Sequence, residues 1–145
     1  LNNPEETENA IDGDGYMHTG DVGIFDEDGY VRIVDRTKDM INVSGFKVFS
    51  KKVEEILSEH PAIDMIATIG LQNPENPGSE LVKAFVTLAP GYPSDADEEK
   101  LKADILKFAK EKLAPYEVPK TIEIRAELPL TPIGKIDKKE LRKLN

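Results

Sequence analysis

The sequence predicts a small α+β domain entered through an acidic β-hairpin tail. Three observations lead there. Asp-Gly steps precede short alternating runs at Asp12-Gly13-Asp14-Gly15-Tyr16 and Asp26-Glu27-Asp28-Gly29-Tyr30, the pattern of hairpin turns. Between Glu98 and Leu113, the residues Leu101, Ile105, Phe108, Ala109 and Leu113 fall on one stripe of a helix. After residue 36 the pattern runs hairpin, helix, strand, strand, helix, strand, helix, which is an α+β order.

Taken along the chain, residues 1–11 are mostly polar, with acidic residues at Glu5, Glu6 and Glu8, and are expected to lack fixed structure. Val22–Phe25 and Tyr30–Val34 read as paired strands, and Asp35–Asp39 as a charged break. Met40–Val43 and Phe46–Phe49 flank Ser44-Gly45 as a second hairpin. Ser50 is suited to cap a helix over Lys51–Glu59 that carries Val53, Ile56 and Leu57 on one face, and His60-Pro61 stops it. Ile63–Leu71 and Leu81–Leu88 read as strands separated by a Pro/Gly/Asn loop. Pro115 and Pro119 bracket a linker. Thr121–Ile124 is a short strand, Leu128–Ile136 a loop, and Asp137–Leu144 a terminal helix. Met40 and Met65 read as core filler.

Composition narrows the class. The 145 residues allow one domain with a modest core. No apolar run approaches the ~18 residues of a membrane span. The chain has no cysteine, which excludes disulfides and thiolate metal sites and suits a reducing compartment. The net charge of −9 is unevenly placed. Residues 1–31 hold nine acidic residues and no Lys or Arg, and the remainder is neutral. Two regions of different character are joined, and no basic excess marks a nucleic-acid footprint. A chain that opens on Leu1 in mid-pattern is expected to be a piece of a larger protein.

Four short segments could carry chemistry. In Thr19-Gly20-Asp21, a carboxylate beside an open backbone offers only acceptors and suits a pair of ribose hydroxyls, although a capped turn would look the same. In Asp35-Arg36-Thr37-Lys38-Asp39, Arg36 offers a planar fork for phosphate or ribose oxygens, or simply a solvated turn. In Val43-Ser44-Gly45-Phe46-Lys47, Gly45 permits a positive φ or the close approach of a ligand, or makes a plain hairpin. In Pro129 to Asp137, Lys135 follows Gly134 in a loop stiffened by Pro129 and Pro132. Its compact charge on a flexible stem suits an anion, and the alternative is an ordinary helix-entry turn. It is not a phosphate-binding P-loop, because Pro129 and Ile136 stand where that motif needs Gly and Ser or Thr. The paired aspartates of the acidic turns are not calcium loops either. Counted from Asp12, the required Gly and Glu positions hold Met17 and Gly23; counted from Asp26, they hold Val31 and Thr37. His18 and His60 are isolated, and no metal site is expected.

The order of these segments resembles one family. Asp14-Gly15-Tyr16-Met17-His18-Thr19-Gly20-Asp21, Val34-Asp35-Arg36-Thr37-Lys38-Asp39-Met40-Ile41, Val43-Ser44-Gly45-Phe46 and Gly134-Lys135-Ile136-Asp137 together are similar to the adenylate-forming superfamily of acyl-CoA synthetases, peptide-synthetase adenylation domains and luciferases. Asp39–Phe46 looks most like medium- and long-chain fatty acyl-CoA ligases. Ser50-Lys51-Lys52 departs from the Pro and acidic residue many relatives carry there, and Asn42 from a Lys found in some.

The resemblance implies a C-terminal lid domain with a β-hairpin, a three-stranded mixed sheet and packed helices, over residues 37–145. Residues 1–36 would be the end of the AMP-binding N-terminal domain, the missing remainder of which is the expected partner. The implied reaction joins a fatty acid to CoA through an acyl-adenylate, with ATP, CoA and Mg2+, the last bound mainly by the missing domain. Asp21 and Arg36 would contact ribose and phosphate, Lys38 would be the hinge, and Lys135 the lysine of adenylation. Ser44, Gly45 and Phe46 would face CoA after the lid rotates. The isolated chain would be inactive. The implied location is cytoplasmic, compatible with peripheral membrane attachment of the full-length enzyme. A carrier-protein-loading adenylation domain, a luciferase-like enzyme and a free-standing binding module are the alternatives.

Overall fold

The computed structural model describes residues 3–92 and 97–144. The chain divides between Lys38 and Asp39 into two compact units.

The first unit opens with a helix that the acidic composition conceals, α1 (Pro4–Ala10). It forms because Asn3 accepts the Glu6 N–H, Pro4 sits in the first turn, and Glu5 and Glu6 complement the positive end of the helix. The expectation of an unstructured segment over residues 1–11 is therefore corrected for Pro4–Ala10. Strands β1 (Asp21–Phe25) and β2 (Val31–Arg36) form an antiparallel ribbon that extends at the open end one residue further in β1 and two in β2 than the alternation suggests. A bulge at Val22/Gly23 breaks their register.

Both Asp-Gly turns are built alike. In each, the glycine takes a positive φ, 84° at Gly15 and 86° at Gly29. Its N–H returns to the carbonyl of Asp12 or Asp26. The same aspartate's Oδ1 accepts the N–H of Tyr16 (2.9 Å) or Tyr30 (2.8 Å). This is the pattern of a type I turn closed by a left-handed glycine. The Tyr16 N–H, aided by His18, holds the Asp12 carboxyl below the usual aspartate range.

The second unit starts in a short 3-10 turn, Thr37–Asp39, that spans the division. A hairpin of β3 (Ile41–Val43) and β4 (Phe46–Val48) follows. Helix α2 (Ser50–Leu57) buries Val53 and Leu57. The long strands β5 (Ile63–Gln72) and β6 (Glu80–Leu88) pair antiparallel, and β7 (Thr121–Ile124) adds parallel to β6, giving a mixed sheet of order β5-β6-β7. Between β6 and β7 lies α3 (Glu98–Lys112), started by the Asp97 carboxylate on the Lys100 N–H. A short helix, α4 (Lys138–Lys143), closes the chain.

The sheet is covered on both faces, which explains why β5 and β6 read as nearly continuous apolar runs. Ile66, Val82, Ala84, Val86 and Ile122 pack with Val53, Leu57, Ile105 and Ala109. The alternate residues Ala67, Ile69 and Phe85 pack with Leu128 and Leu141. That second, smaller core seats α4, and truncating the fully buried Leu141 to Ala should cost about 2–5 kcal/mol. Ser50 is not the cap of α2. Phe49 holds that position without a side-chain hydrogen bond, and buried Ser50 instead accepts from Lys138 Nζ at 2.8 Å.

Candidate functional site

In the first unit, Gly20 turns the chain at φ 75° into β1. The Asp21 N–H donates to Thr19 Oγ1 at 3.2 Å, and the Thr37 N–H closes the ribbon onto the Gly20 carbonyl at 2.8 Å. Register sets Asp21 opposite Arg36, with Arg36 Nε 3.5 Å from Asp21 Oδ1. Arg36 is well exposed and Asp21 retains part of its surface, 61% and 28% of the side chains. One end of the ribbon thus offers hydroxyl acceptors and anion donors side by side. Arg36 is steadied through its own N–H, which donates to Asp35 Oδ1 at 2.8 Å. Lys38 is exposed in the Thr37–Asp39 turn, beside the division between the units.

In the second unit, Ser44 and Gly45 both have positive φ, 50° and 91°, the requirement of a two-residue type I′ hairpin turn. The Ser44 N–H donates to Ser79 Oγ at 2.8 Å, the Asn42 N–H to Glu80 Oε2 at 2.7 Å, and Asn42 Nδ2 to the Gly78 carbonyl at 3.0 Å. The loop before β6 therefore braces the hairpin. A Cβ on Gly45 would meet nothing within 4 Å, so within this chain the glycine answers to backbone angle and not to crowding. Phe46 stacks on Tyr116, ring centroids 4.6 Å apart and 15° from parallel. A groove of about 220 Å³ opens beside the turn, walled by Ser44, Ser79, Tyr116, Val118 and Lys120.

Tyr116 was not singled out from the sequence. Its only local signal was its place between Pro115 and Pro119. Its setting depends on Glu117, a buried carboxylate that accepts both the Ala114 N–H and Lys52 Nζ, at 3.0 and 2.7 Å.

Lys135 stands on a third turn of the kind seen at Asp12 and Asp26. The Gly134 N–H returns to the Thr131 carbonyl, and Gly134 has φ 77°. The Lys135 N–H donates to Thr131 Oγ1 at 3.1 Å, and the Asp137 N–H anchors the far side on the Pro129 carbonyl. The Lys135 side chain is exposed. Asp137 caps α4 by accepting the N–H groups of Lys139 and Glu140. Lys138 does not face solvent as a neighbour of Lys139 would. It reaches Glu54 at 2.7 Å and Ser50, and the two charged side chains are only 18% and 19% exposed. The structure thus brings Asp21 to Arg36 and displays Ser44, Gly45 and Phe46 on one turn, with Lys135 on another. Among the described residues no group of three or more His, Asp or Glu side chains could hold a metal ion, and no helix is long and apolar enough to cross a membrane.

Comparison with known proteins covers nearly the whole chain. It is 46% identical over 140 residues to a long-chain-fatty-acid–CoA ligase of Bacillus subtilis, aligning 97% of this chain with 23% of the relative. It is 41% identical over 140 residues to the human mitochondrial acyl-coenzyme A synthetase ACSM1, aligning 97% of this chain with 24% of that protein. The chain therefore spans about a quarter of the length of these relatives. The crystal structure of ATP-bound MatB from Rhodopseudomonas palustris superposes with a TM-score of 0.85 at 31% identity, over 99% of this chain and 27% of that one. Residues 52–135 match the family of the AMP-binding enzyme C-terminal domain. Together with the mixed sheet, this match over more than half of the chain places it in that family.

Proposed function

We propose that this chain is the C-terminal part of an ATP-dependent fatty acid–CoA ligase and acts as its mobile lid. The observation that carries the reading is the 46% identity to a long-chain-fatty-acid–CoA ligase across both units, in a chain that spans only 23% of that protein. The exposed apolar residues of the β1–β2 ribbon, Phe25 and Tyr30 at 73% and Ile24 and Ile33 at 49%, support a larger body that covers them. The partner in this reading is the remainder of the same protein, residues 1–36 being the end of its nucleotide-binding domain.

The reaction has two displacements. A fatty acid carboxylate oxygen attacks the α-phosphorus of ATP, the bond to the leaving pyrophosphate breaks, and an acyl-adenylate forms. The thiol of CoA then attacks the acyl carbon, AMP leaves with the bonding pair, and the thiol proton passes to solvent. In the first step both reactants are anions. The ammonium of Lys135 opposes their repulsion and stabilises the charge that builds in the transition state. Asp21 accepts hydrogen bonds from the ribose hydroxyls and Arg36 donates to ribose or phosphate oxygens. For the second step the lid turns about Lys38, Lys135 withdraws, and Ser44, Gly45 and Phe46 present a slim backbone turn to the CoA arm. The described residues supply no ligand set for Mg2+, which this reading leaves to the remainder of the enzyme.

The test uses the full-length enzyme. Fatty acid-dependent exchange of pyrophosphate into ATP reports the first step, and CoA-ester formation from supplied acyl-adenylate reports the second. The expected result is that both occur with fatty acids. Exchange with no CoA-ester formation, or loading of a carrier protein in place of CoA, would overturn it.

A further inference from the structure

The Lys135 turn is internally rigid, but its own hydrogen bonds fix only its shape. Its orientation depends on Ile136, which packs against the smaller core, and on the two ends from which it hangs. One end is Leu128, buried in the smaller core. The other is α4, six residues long and far too short to stand as a helix without tertiary support. Three side chains secure α4. Leu141 pins its middle into the core. Lys138, in its first turn, is tied to Glu54 and Ser50 of α2. Arg142, one turn further on, places Nη2 2.7 Å from Asp39 Oδ1, across 103 residues of sequence. Asp39 is the residue directly after Lys38, and its side chain is 14% exposed against 33% for Arg142. An apolar pin alone lets a helix rock about it. Two charge-assisted hydrogen bonds one turn apart, to different elements, remove that freedom.

We propose that Arg142 is a positioning residue: its ion pair with Asp39 fixes α4 to the start of the second unit, so the Lys135 turn keeps one orientation relative to the point where the chain enters. This rests on the reading of Lys135 given above. The Ser44-Gly45 turn is held differently, through Gly78, Ser79 and Glu80, with no part of α4 in those bonds. Loss of the Arg142 contact should therefore harm the step that uses Lys135 and spare the step that uses the hairpin.

The experiment compares Arg142→Ala, Arg142→Lys and the charge-swapped pair Asp39→Arg with Arg142→Asp in the full-length enzyme, with Lys135→Ala in parallel. Arg142→Ala is expected to lower kcat for fatty acid-dependent pyrophosphate exchange by roughly 10- to 100-fold, the scale for displacing a catalytic group by about an ångström. KM for ATP should hold, and CoA-ester formation from supplied acyl-adenylate should be kept. Amide exchange should rise over residues 129–137 and stay unchanged over β3–β4 and β5–β7. Arg142→Lys should lie between, and the swapped pair should recover part of both losses. Unchanged amide exchange over 129–137 would overturn the proposal. So would a rise throughout the second unit with both half-reactions falling together, because the pair would then only hold the fold. Failure of the Lys135 reading would show separately, as normal pyrophosphate exchange by Lys135→Ala.

Discussion

Asp21 and Arg36 face each other across β1 and β2, and their charged groups stand 3.5 Å apart, close enough to steady one another and too far to satisfy one another. A pair this exposed adds about 0–1 kcal/mol to stability. Asp21→Ala should therefore leave the melting temperature nearly unchanged. In the full-length enzyme it should raise KM for ATP about tenfold or more, because on the proposed reading two ribose hydroxyls lose a charged acceptor worth about 1.5–3 kcal/mol. An unchanged KM with a lowered melting point would make the aspartate a structural residue.

Lys135→Ala should slow fatty acid-dependent pyrophosphate exchange by roughly 10²–10³, the scale for losing one preorganised charge-stabilising donor. CoA-ester formation from supplied adenylate should survive, and exposed Lys139→Ala should change neither rate. Lys138→Ala differs in kind. It leaves largely buried Glu54 without this cation and should lower stability by about 1–3 kcal/mol, visible in urea unfolding. A stable Lys138→Ala protein would contradict the packing of α4 on α2.

Gly45→Leu should block thioester formation while adenylation continues, since the side chain fills the space that the bare turn leaves. The φ of 91° adds a second effect. Any L-residue there is strained by about 1–2 kcal/mol, so Gly45→Ala should loosen the hairpin as well. Gly45→Asn, which tolerates a left-handed backbone better, should be the more stable of the small variants. Normal CoA-ester synthesis by Gly45→Leu would remove this turn from the thiol route.

Lys38→Pro should separate the two half-reactions. Proline fixes φ near −65° and takes away the rotation a pivot needs. Pyrophosphate exchange should persist if the lid is held in the adenylation pose, and CoA-ester formation should fall. Equal loss of both would show that position 38 is no selective pivot.

Acid should weaken the β6–β7 edge of the sheet. Burial alone would raise the Glu123 pKa, but hydrogen bonds and charge from Lys83 and Arg125 more than offset it and hold the carboxyl below its ordinary value of about 4.5. A depressed carboxylate contributes stability above its unfolded pKa and loses it as pH falls through the folded value. Glu123→Gln should therefore destabilise the protein at pH 7 and make no difference near pH 2. Equal destabilisation at both pH values would assign the effect to shape instead of charge.

What the sequence disclosed was mostly local. Thr121–Ile124, the hairpin around Ser44-Gly45 and the stripe of α3 were readable because a period of two, a Gly turn and a period near 3.6 each lie within a few residues. Helix α1 was missed because acidic composition hid the Asn3-Pro4 start. Ser50 was misread as a cap, since its partner Lys138 lies 88 positions away. The same pairing draws Lys138 inward, leaving its side chain 18% exposed beside exposed Lys139. Asp21 could be matched to Arg36 only once β1 proved one residue and β2 two residues longer than their alternation, and Tyr116 met Phe46 only through a linker shape set by Glu117.

The third glycine turn differs from its two acidic counterparts in the charge of the side chain that closes it. At Asp12 and Asp26 a carboxylate accepts the closing N–H; at Thr131 a hydroxyl does the same work on Lys135. The geometry is copied while the anion is left out. An aspartate at position 131 would fold the turn equally well and would set a fixed negative charge within the lysine's own loop, dimming its pull on any anion brought near. Threonine leaves that acceptor uncharged, and the carboxylate of Asp137 in the same loop is turned onto the N–H groups of α4.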